Sequence, residues 1–178
     1  MAGILGYGLS KNDSRIAKWN VSIEQIVIIG REIIMELLNK RMNFIGCKIA
    51  FFCDDSILTI LRDDISTIPW PNMWELPGGG REGEETPFEC VQREVFEELG
   101  LKLEEVDIVW AKAYQGMLNP DKTSIFMVGT ITQEEFASIV FGDEGQTYKL
   151  MDVSQFLADE KVVPQLQDRL RDYLEVRA

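Results

Sequence analysis

Glu94, Glu97 and Glu98 lie three and four residues apart in a segment rich in acidic side chains. In a helix this spacing places the three carboxylates on one arc, where like charges side by side cost roughly 0.2–0.5 kcal/mol per pair. A solvated acidic face is one interpretation of such a pattern. The other is a divalent cation, because Mg²⁺ and Mn²⁺ prefer oxygen ligands and would bridge the carboxylates to the phosphates of a substrate.

The residue types that are missing limit the chemistry further. The chain has no histidine, so a general base must be a carboxylate, a lysine, a tyrosine or a metal-bound water, and Ser-His or Cys-His mechanisms are excluded. The cysteines Cys47, Cys53 and Cys90 are odd in number and lack a CxxC spacing. We therefore expect reduced core thiols rather than a disulfide framework or a zinc site.

The three glutamates require a helix with defined ends, and the flanking residues supply both. Thr86-Pro87-Phe88-Glu89 predicts a helix start, with a threonine cap and a glutamate that reaches back to it. Gly100 is a natural stop. Apolar side chains recur between these ends at helical spacing and predict the buried stripe: Phe88, Val91, Val95 and Leu99.

The spacing around these glutamates resembles the Nudix box, the motif of the Nudix hydrolase family, written G-x5-E-x7-R-E-U-x-E-E-x-G-U with U a bulky aliphatic residue. The motif is complete over residues 79–101, and the resemblance covers about residues 46–175. The matching residues are Gly79, Glu85, Arg93, Glu94, Val95, Glu97, Glu98, Gly100 and Leu101.

The resemblance implies an α/β/α sandwich around a mixed sheet. It also implies Mg²⁺- or Mn²⁺-dependent hydrolysis of a nucleoside diphosphate linked to another group. The family's metal ligands fall on Glu94, Glu97 and Glu98, with the carbonyl of Gly79 as a further contact. Arg93 and Glu85 are expected to pair and to orient the catalytic carboxylates, although a plain structural salt bridge would look the same.

One more acid, Glu144, lies outside the motif, in a predicted turn within FGDEGQTYKL. Similar Glu-Gly-Gln segments in Nudix enzymes that clean the nucleotide pool carry an additional metal ligand or general base. The resemblance implies such a role for Glu144, and an ordinary acidic turn is the alternative. Glu94 and Glu144 are both candidates for the base that deprotonates the attacking water, and the sequence does not choose between them.

The substrate must be inferred from residues outside the motif. Trp70, Trp74 and Tyr114 could stack on a base, although Trp74 in WELPGG is better explained by packing of the strand that enters the motif. Asp159 lies where pool-cleaning members carry a residue that recognises a purine edge, and the lack of asparagine there argues against an oxidised guanine.

Markers of the NADH, coenzyme A, ADP-ribose and dinucleoside polyphosphate branches are not evident, which favours a nucleoside triphosphate. The alternatives are another nucleotide conjugate, such as a nucleotide sugar or a dinucleotide, and a regulator that has the Nudix fold but no turnover.

The whole chain has 178 residues, which predicts one domain, residues 46–178, with an N-terminal extension over residues 1–45. A formal net charge of −12 argues against bulk nucleic-acid binding, and no apolar run is long enough for a membrane span. We expect a cytoplasmic protein with a small-molecule nucleotide substrate. The extension could cover the sheet, form a homodimer interface or shape the pocket.

Several elements must position the glutamate-bearing helix. The spacing of apolar residues predicts a helix over residues 23–42 with Ser22 as its cap, and a strand over residues 25–29 is the alternative. KIAFFCDDSILTIL predicts a hairpin around Asp54-Asp55-Ser56. Strands are also predicted over residues 106–114 and 124–131, separated by a turn at Asn119-Pro120-Asp121, and a closing amphipathic helix is expected from about residue 163.

Overall fold

A six-stranded mixed sheet lies at the centre of the computed structural model, which describes the backbone of residues 23–177 and the side chains of residues 30–177. The strands run in the order β3-β2-β1-β5-β4, and β6 pairs with β2. Their bounds are β1 Cys47–Cys53, β2 Ser56–Leu61, β3 Trp74–Glu75, β4 Ile108–Gln115, β5 Thr123–Thr130 and β6 Thr147–Asp152.

The pairing of β1 accounts for the mixed character of the sheet. β1 joins β2 in an antiparallel hairpin whose turn has Asp54 in the left-handed region, with a φ of 54°. On its other side β1 runs parallel to β5, with Cys47 opposite Ile125. The predicted hairpin is therefore confirmed, as are the strands that became β4 and β5.

Helices cover both faces of the sheet, so the predicted α/β/α sandwich is confirmed. One face packs against α1 and α2 through a core that includes Leu38 and Val95. The other packs against α4 and α5 through a core that includes Phe156 and Leu170. The helices are α1 Ile23–Asn39, α2 Pro87–Leu99, α3 Gln133–Ala137, α4 Val153–Ala158 and α5 Pro164–Arg177.

The described part of the N-terminal extension consists of helix α1 and a non-helical segment over residues 40–45. Helix α1 ends at Asn39, three residues before the predicted end, and the alternative strand over residues 25–29 is wrong. The predicted cap Ser22 lies outside the described residues. Leu38 is fully buried, and α1 contacts both β4 and α2. Helix α1 therefore covers part of the sheet, which is one of the three roles expected for the extension.

The cysteines and the membrane prediction also have structural outcomes. Cys47, Cys53 and Cys90 are buried free thiols, as expected. Within residues 23–177, no helix combines the length and the apolar character needed to cross a bilayer.

Candidate active site

Helix α2 has the ends that the sequence predicts. The Thr86 hydroxyl accepts a hydrogen bond from the Glu89 amide at 3.3 Å, and the Glu89 carboxylate accepts one from the Thr86 amide at 2.7 Å. Gly100 ends the helix in the left-handed region with a φ of 67°. The stripe of Val91, Val95 and Leu99 is fully buried and Phe88 partly so. This packing fixes which face of α2 carries the carboxylates.

Arg93 connects three glutamates to the glycine loop, residues 78–80. Its Nε donates to Glu85 Oε1 at 2.7 Å, and its Nη2 donates to the Gly80 carbonyl at 2.8 Å. Its Nη1 lies 2.9 Å from Glu94 Oε1 and 3.0 Å from Glu97 Oε2. The hydrogen bond from Arg93 lowers the pKa of Glu85. The guanidinium therefore holds Glu94 and Glu97 together on the face beside the loop.

Glu98 is anchored differently, by the backbone of the loop. Its Oε2 accepts a hydrogen bond from the Gly78 amide at 2.8 Å, and only 8% of the residue is exposed. Burial raises the pKa of Glu98 to about 7. Burial also raises the pKa of Glu94, against the opposing effect of Arg93. Both carboxylates thus lie where a cation would be strongly favoured, because burial penalises their charged forms.

The glycine loop packs directly against these carboxylates. A Cβ at Gly79 would lie 2.5 Å from Glu94 Oε2, so a side chain at this position would force that carboxylate to move. The Gly79 carbonyl, predicted as a metal contact, accepts a hydrogen bond from the Cys47 amide at 2.9 Å. A carbonyl oxygen has a second lone pair, and the metal role of Gly79 stays a prediction.

Lys48 belongs to this site and was missed by the sequence analysis. Its Nζ lies 2.7 Å from Glu75 Oε2 and donates to the Gly78 carbonyl. Glu75 also pairs with Arg62 at 2.6 Å. The signal that could have revealed Lys48 is a charged residue inside the apolar strand segment CKIAFFC.

The donor set suits a hard divalent cation, because carboxylate oxygens are the groups that Mg²⁺ and Mn²⁺ prefer. Among the residues that the structure describes, no three acidic or thiol groups converge as a ready-made cation site. The contacts explain why: Arg93 holds Glu94 and Glu97, whereas Glu98 bonds to the Gly78 amide. Cation binding would therefore exchange these contacts for metal–oxygen bonds.

The loop that carries Glu144 lies against the C-terminal end of α2. The Gly142 amide donates to the Glu98 carbonyl at 2.9 Å, and a Cβ at Gly142 would lie 2.2 Å from the Glu97 carbonyl. At its other end, the Gly145 amide donates to Asp63 at 3.2 Å. The Glu144 side chain itself is exposed. Its catalytic or metal role stays a prediction.

The predicted base-stacking residues make contacts with the core. Trp70 is partly buried against the core on the α5 side and has a φ of 50°, unusual for a large side chain. The Trp74 ring lies under the ammonium of Lys149 at 4.2 Å, which supports its structural interpretation. Tyr114 donates to Asp172 at 3.0 Å. The substrate role of Trp70 stays a prediction.

The carboxylate of Asp159 caps a turn. Its Oδ1 accepts a hydrogen bond from the Lys161 amide at 2.9 Å, just after α4 ends at Ala158. The predicted role of Asp159 in substrate binding stays a prediction.

Comparison with known families agrees with this architecture. The family model for the Nudix domain matches residues 48–173. The chain therefore belongs to the Nudix hydrolase family, and the prediction from the motif over residues 79–101 is confirmed. Enzymes of this family generally use divalent metal ions.

Curated relatives share only part of their length with the chain. It is 28% identical over 99 residues to human diphosphoinositol polyphosphate phosphohydrolase 2. The aligned segment covers 56% of this chain and 55% of that protein. The chain is 50% identical over 38 residues to bovine diphosphoinositol polyphosphate phosphohydrolase 3-beta, in a segment that covers 21% and 23% respectively. The chain thus spans about half or less of the length of these relatives.

Solved structures share the fold at lower identity. A MutT protein from Methanosarcina mazei Go1 is 20% identical with a TM-score of 0.58, over 76% of this chain and 96% of that one. A bifunctional NMN adenylyltransferase/ADP ribose pyrophosphatase from Francisella tularensis, complexed with AMP and a manganese ion, is 17% identical with a TM-score of 0.58, over 92% and 52%. At these identities the likeness establishes the fold alone.

Proposed function

We propose that this protein is a Nudix pyrophosphohydrolase that uses Mg²⁺ or Mn²⁺ to hydrolyse the pyrophosphate linkage of a nucleoside diphosphate joined to another group. The observation that carries the proposal is the intact carboxylate face of α2. Glu94 and Glu97 are held by Arg93, and Glu98 is held by the Gly78 amide. A regulator without turnover would have no need for such a complete set of charged, organised side chains.

In this proposal Glu94, Glu97 and Glu98 hold the cation, with the Gly79 carbonyl and Glu144 as further candidates. When bound, the cation supplies neutralisation of phosphate charge and acidification of a water molecule. Arg93 acts as a positioning residue, because its guanidinium joins two of the carboxylates to the glycine loop.

The remaining step requires a base that removes a proton from the attacking water as it approaches phosphorus in line with the leaving group. Glu94 and Glu144 are the two candidates. Glu94 lies on α2 itself, where Arg93 holds its carboxylate at 2.9 Å, so a base at this position would already be oriented. Glu144 is exposed and lies on a loop attached to α2, so it could reach the same water from outside the helix.

For the substrate we propose a nucleoside triphosphate, cleaved to a nucleoside monophosphate and pyrophosphate. Trp70 would stack on the base and Asp159 would contact its edge. This choice rests on the likeness of the Glu144 segment to pool-cleaning Nudix enzymes and on the missing markers of other branches.

The curated relatives favour a second candidate, a phosphorylated inositol that carries a diphosphate. Both candidates present a phosphoanhydride bond to the same carboxylates. They differ in the non-reacting part of the molecule. The nucleoside triphosphate carries an aromatic base, whereas the inositol carries a ring of phosphates.

The test is a panel assay for released phosphate and pyrophosphate with Mg²⁺. The panel should contain nucleoside triphosphates, nucleotide sugars, dinucleotides, ADP-ribose and a diphosphoinositol polyphosphate, with Glu98→Gln as the matched inactive control. Turnover of any member by the wild type and not by the variant supports a pyrophosphohydrolase, and the preferred member decides the substrate. Tight binding of a nucleotide with no turnover of the whole panel would instead support the regulator.

A further inference from the structure

Lys48 is a buried basic side chain beside the glycine loop of the acidic site. The residue is 9% exposed and lies on β1, between Cys47 and Ile49. Its Nζ contacts two oxygens, one from the Glu75 carboxylate at 2.7 Å and one from the Gly78 carbonyl. Burying a lysine in this way is costly unless acceptors surround the charge. The two oxygens offset part of that cost and hold the side chain in this position.

The Gly78 peptide joins Lys48 to a predicted metal ligand. Its carbonyl accepts from Lys48, and its amide donates to Glu98 Oε2 at 2.8 Å. One peptide unit therefore separates the ammonium from a carboxylate expected to bind the cation. Burial raises the pKa of both Glu94 and Glu98, and the charge of Lys48 acts against that effect in each case.

Lys48 and Arg93 differ in how firmly they are held. Arg93 uses three guanidinium nitrogens on Glu85, Glu94, Glu97 and the Gly80 carbonyl. Lys48 has a single ammonium on a flexible stem, with two acceptors. An ammonium is a compact point charge that rearranges more readily than a fixed guanidinium fork. Lys48 is thus easier to displace than Arg93.

We propose that Lys48 is an internal counter-cation that stands in for the divalent ion in the metal-free site and competes with it for the Gly78–Glu98 side of the centre. Lys48 is a positioning residue in this scheme, because it acts through the carboxylates and the loop rather than on the substrate. Its charge keeps the metal-free site assembled and at the same time weakens metal binding. The inference rests on the cation binding that is part of the proposed function.

The experiment is calorimetric titration of Mn²⁺ into the substrate-free protein at pH 8. Lys48→Met removes the charge and keeps an apolar stem of similar length. Even in a medium as polar as water, a unit charge about 6 Å from a divalent ion changes its affinity by about tenfold, and the effect is larger in a buried site. We therefore expect Lys48→Met to bind Mn²⁺ at least about tenfold more tightly than the wild type, and to melt at a lower temperature when metal-free.

Two controls separate charge from shape. Lys48→Arg keeps the positive charge and should not bind Mn²⁺ more tightly than the wild type. Lys112→Met removes a lysine that pairs with Asp172 and should leave Mn²⁺ affinity unchanged. If Lys48→Met does not fold, Lys48→Gln serves in its place, because its amide can still donate to the Gly78 carbonyl.

Unchanged or weaker Mn²⁺ binding by the folded neutral variant would overturn the inference while leaving the proposed function intact. A tighter site in Lys112→Met as well would also overturn it, since the effect would then be one of overall charge. A wild type that binds neither Mn²⁺ nor Mg²⁺ would overturn the proposed function together with this inference.

Discussion

Helix α2 and the loop at residues 139–146 both offer carboxylates to the proposed chemistry, but they hold them in different ways. On α2, Arg93 and the Gly78 amide fix Glu94, Glu97 and Glu98 by direct contacts. The loop is fixed by backbone hydrogen bonds and by packing of Phe141 against the core, whereas Glu144 projects an exposed side chain. The comparison teaches that a packed helix sets carboxylate geometry before a ligand arrives, whereas a loop brings a carboxylate near and leaves its final position to the ligand.

The largest expected effect concerns the cation. Without a divalent ion, the carboxylates of α2 repel the phosphates of any substrate, so activity should require Mg²⁺ or Mn²⁺ and vanish when a chelator is in excess. The check is phosphate release from the best substrate before chelation, after it, and after Mg²⁺ is restored. Turnover in excess chelator, or with Zn²⁺ alone, would contradict the proposal that carboxylates of α2 and of the loop bind Mg²⁺ or Mn²⁺.

Loss of a single α2 carboxylate should come next. Glu97→Gln and Glu98→Gln keep side-chain volume and remove charge, so each should lower kcat at least about 100-fold, equivalent to about 2.7 kcal/mol of barrier. Circular dichroism should show that the helix remains folded. A loss of folded structure that matches the loss of activity would mean that these residues only support the fold.

The raised pKa of Glu98 also leads to a prediction of how the stability of the protein depends on pH. Burial raises the pKa of Glu98 from 4.5 to about 7. The folded protein therefore binds this proton more tightly than the unfolded chain, so stability is lost as pH rises from about 4.5 through 7. Metal-free Glu98→Gln should be more stable than the wild type at pH 8, by up to about 3 kcal/mol, and should show a flatter profile between pH 5 and 8 in urea unfolding.

A carboxylate with the opposite shift is the matched control for that measurement. Hydrogen bonds from Thr86 lower the pKa of Glu89, which caps α2. Its stabilising effect is present above the unfolded pKa, so Glu89→Gln should make the protein less stable at pH 8. If Glu98→Gln also loses stability at pH 8, the charged carboxylate of Glu98 stabilises the metal-free fold, and the prediction is wrong.

The smallest expected effect belongs to the loop. If Glu144 binds the cation or activates water, Glu144→Gln should lower kcat at least about tenfold, equivalent to about 1.4 kcal/mol, with little change in melting temperature. Asp143→Asn removes the neighbouring charge and should have little effect on kcat. Nearly full activity of Glu144→Gln across pH would assign the base to Glu94 and leave the loop without a chemical role.

The same contrast explains what the sequence could predict. The capping box of α2, its glycine stop and its buried stripe depend on neighbours within a few turns, and all were predicted correctly. The hairpin at Asp54 and the strands that became β4 and β5 are likewise local patterns. The contact of Lys48 with Glu75 and the Gly78 carbonyl was not predicted, because it joins separate segments through the tertiary fold. The loop that carries Glu144 also meets α2 through the tertiary fold, and a site role for Glu144 was expected from the family resemblance rather than from a local pattern.

The parallel pairing of β1 with β5 has a consequence for folding order. Cys47 reaches its partner Ile125 only after β2, β3, α2 and β4 have been made. Contacts between segments so far apart in the chain form slowly, because a long loop must close before they give any stabilisation. Until then the apolar strand β1 has an unpaired edge, which can template association with other chains. A fragment that ends before residue 123 should therefore aggregate, and the intact chain should refold most efficiently at low concentration.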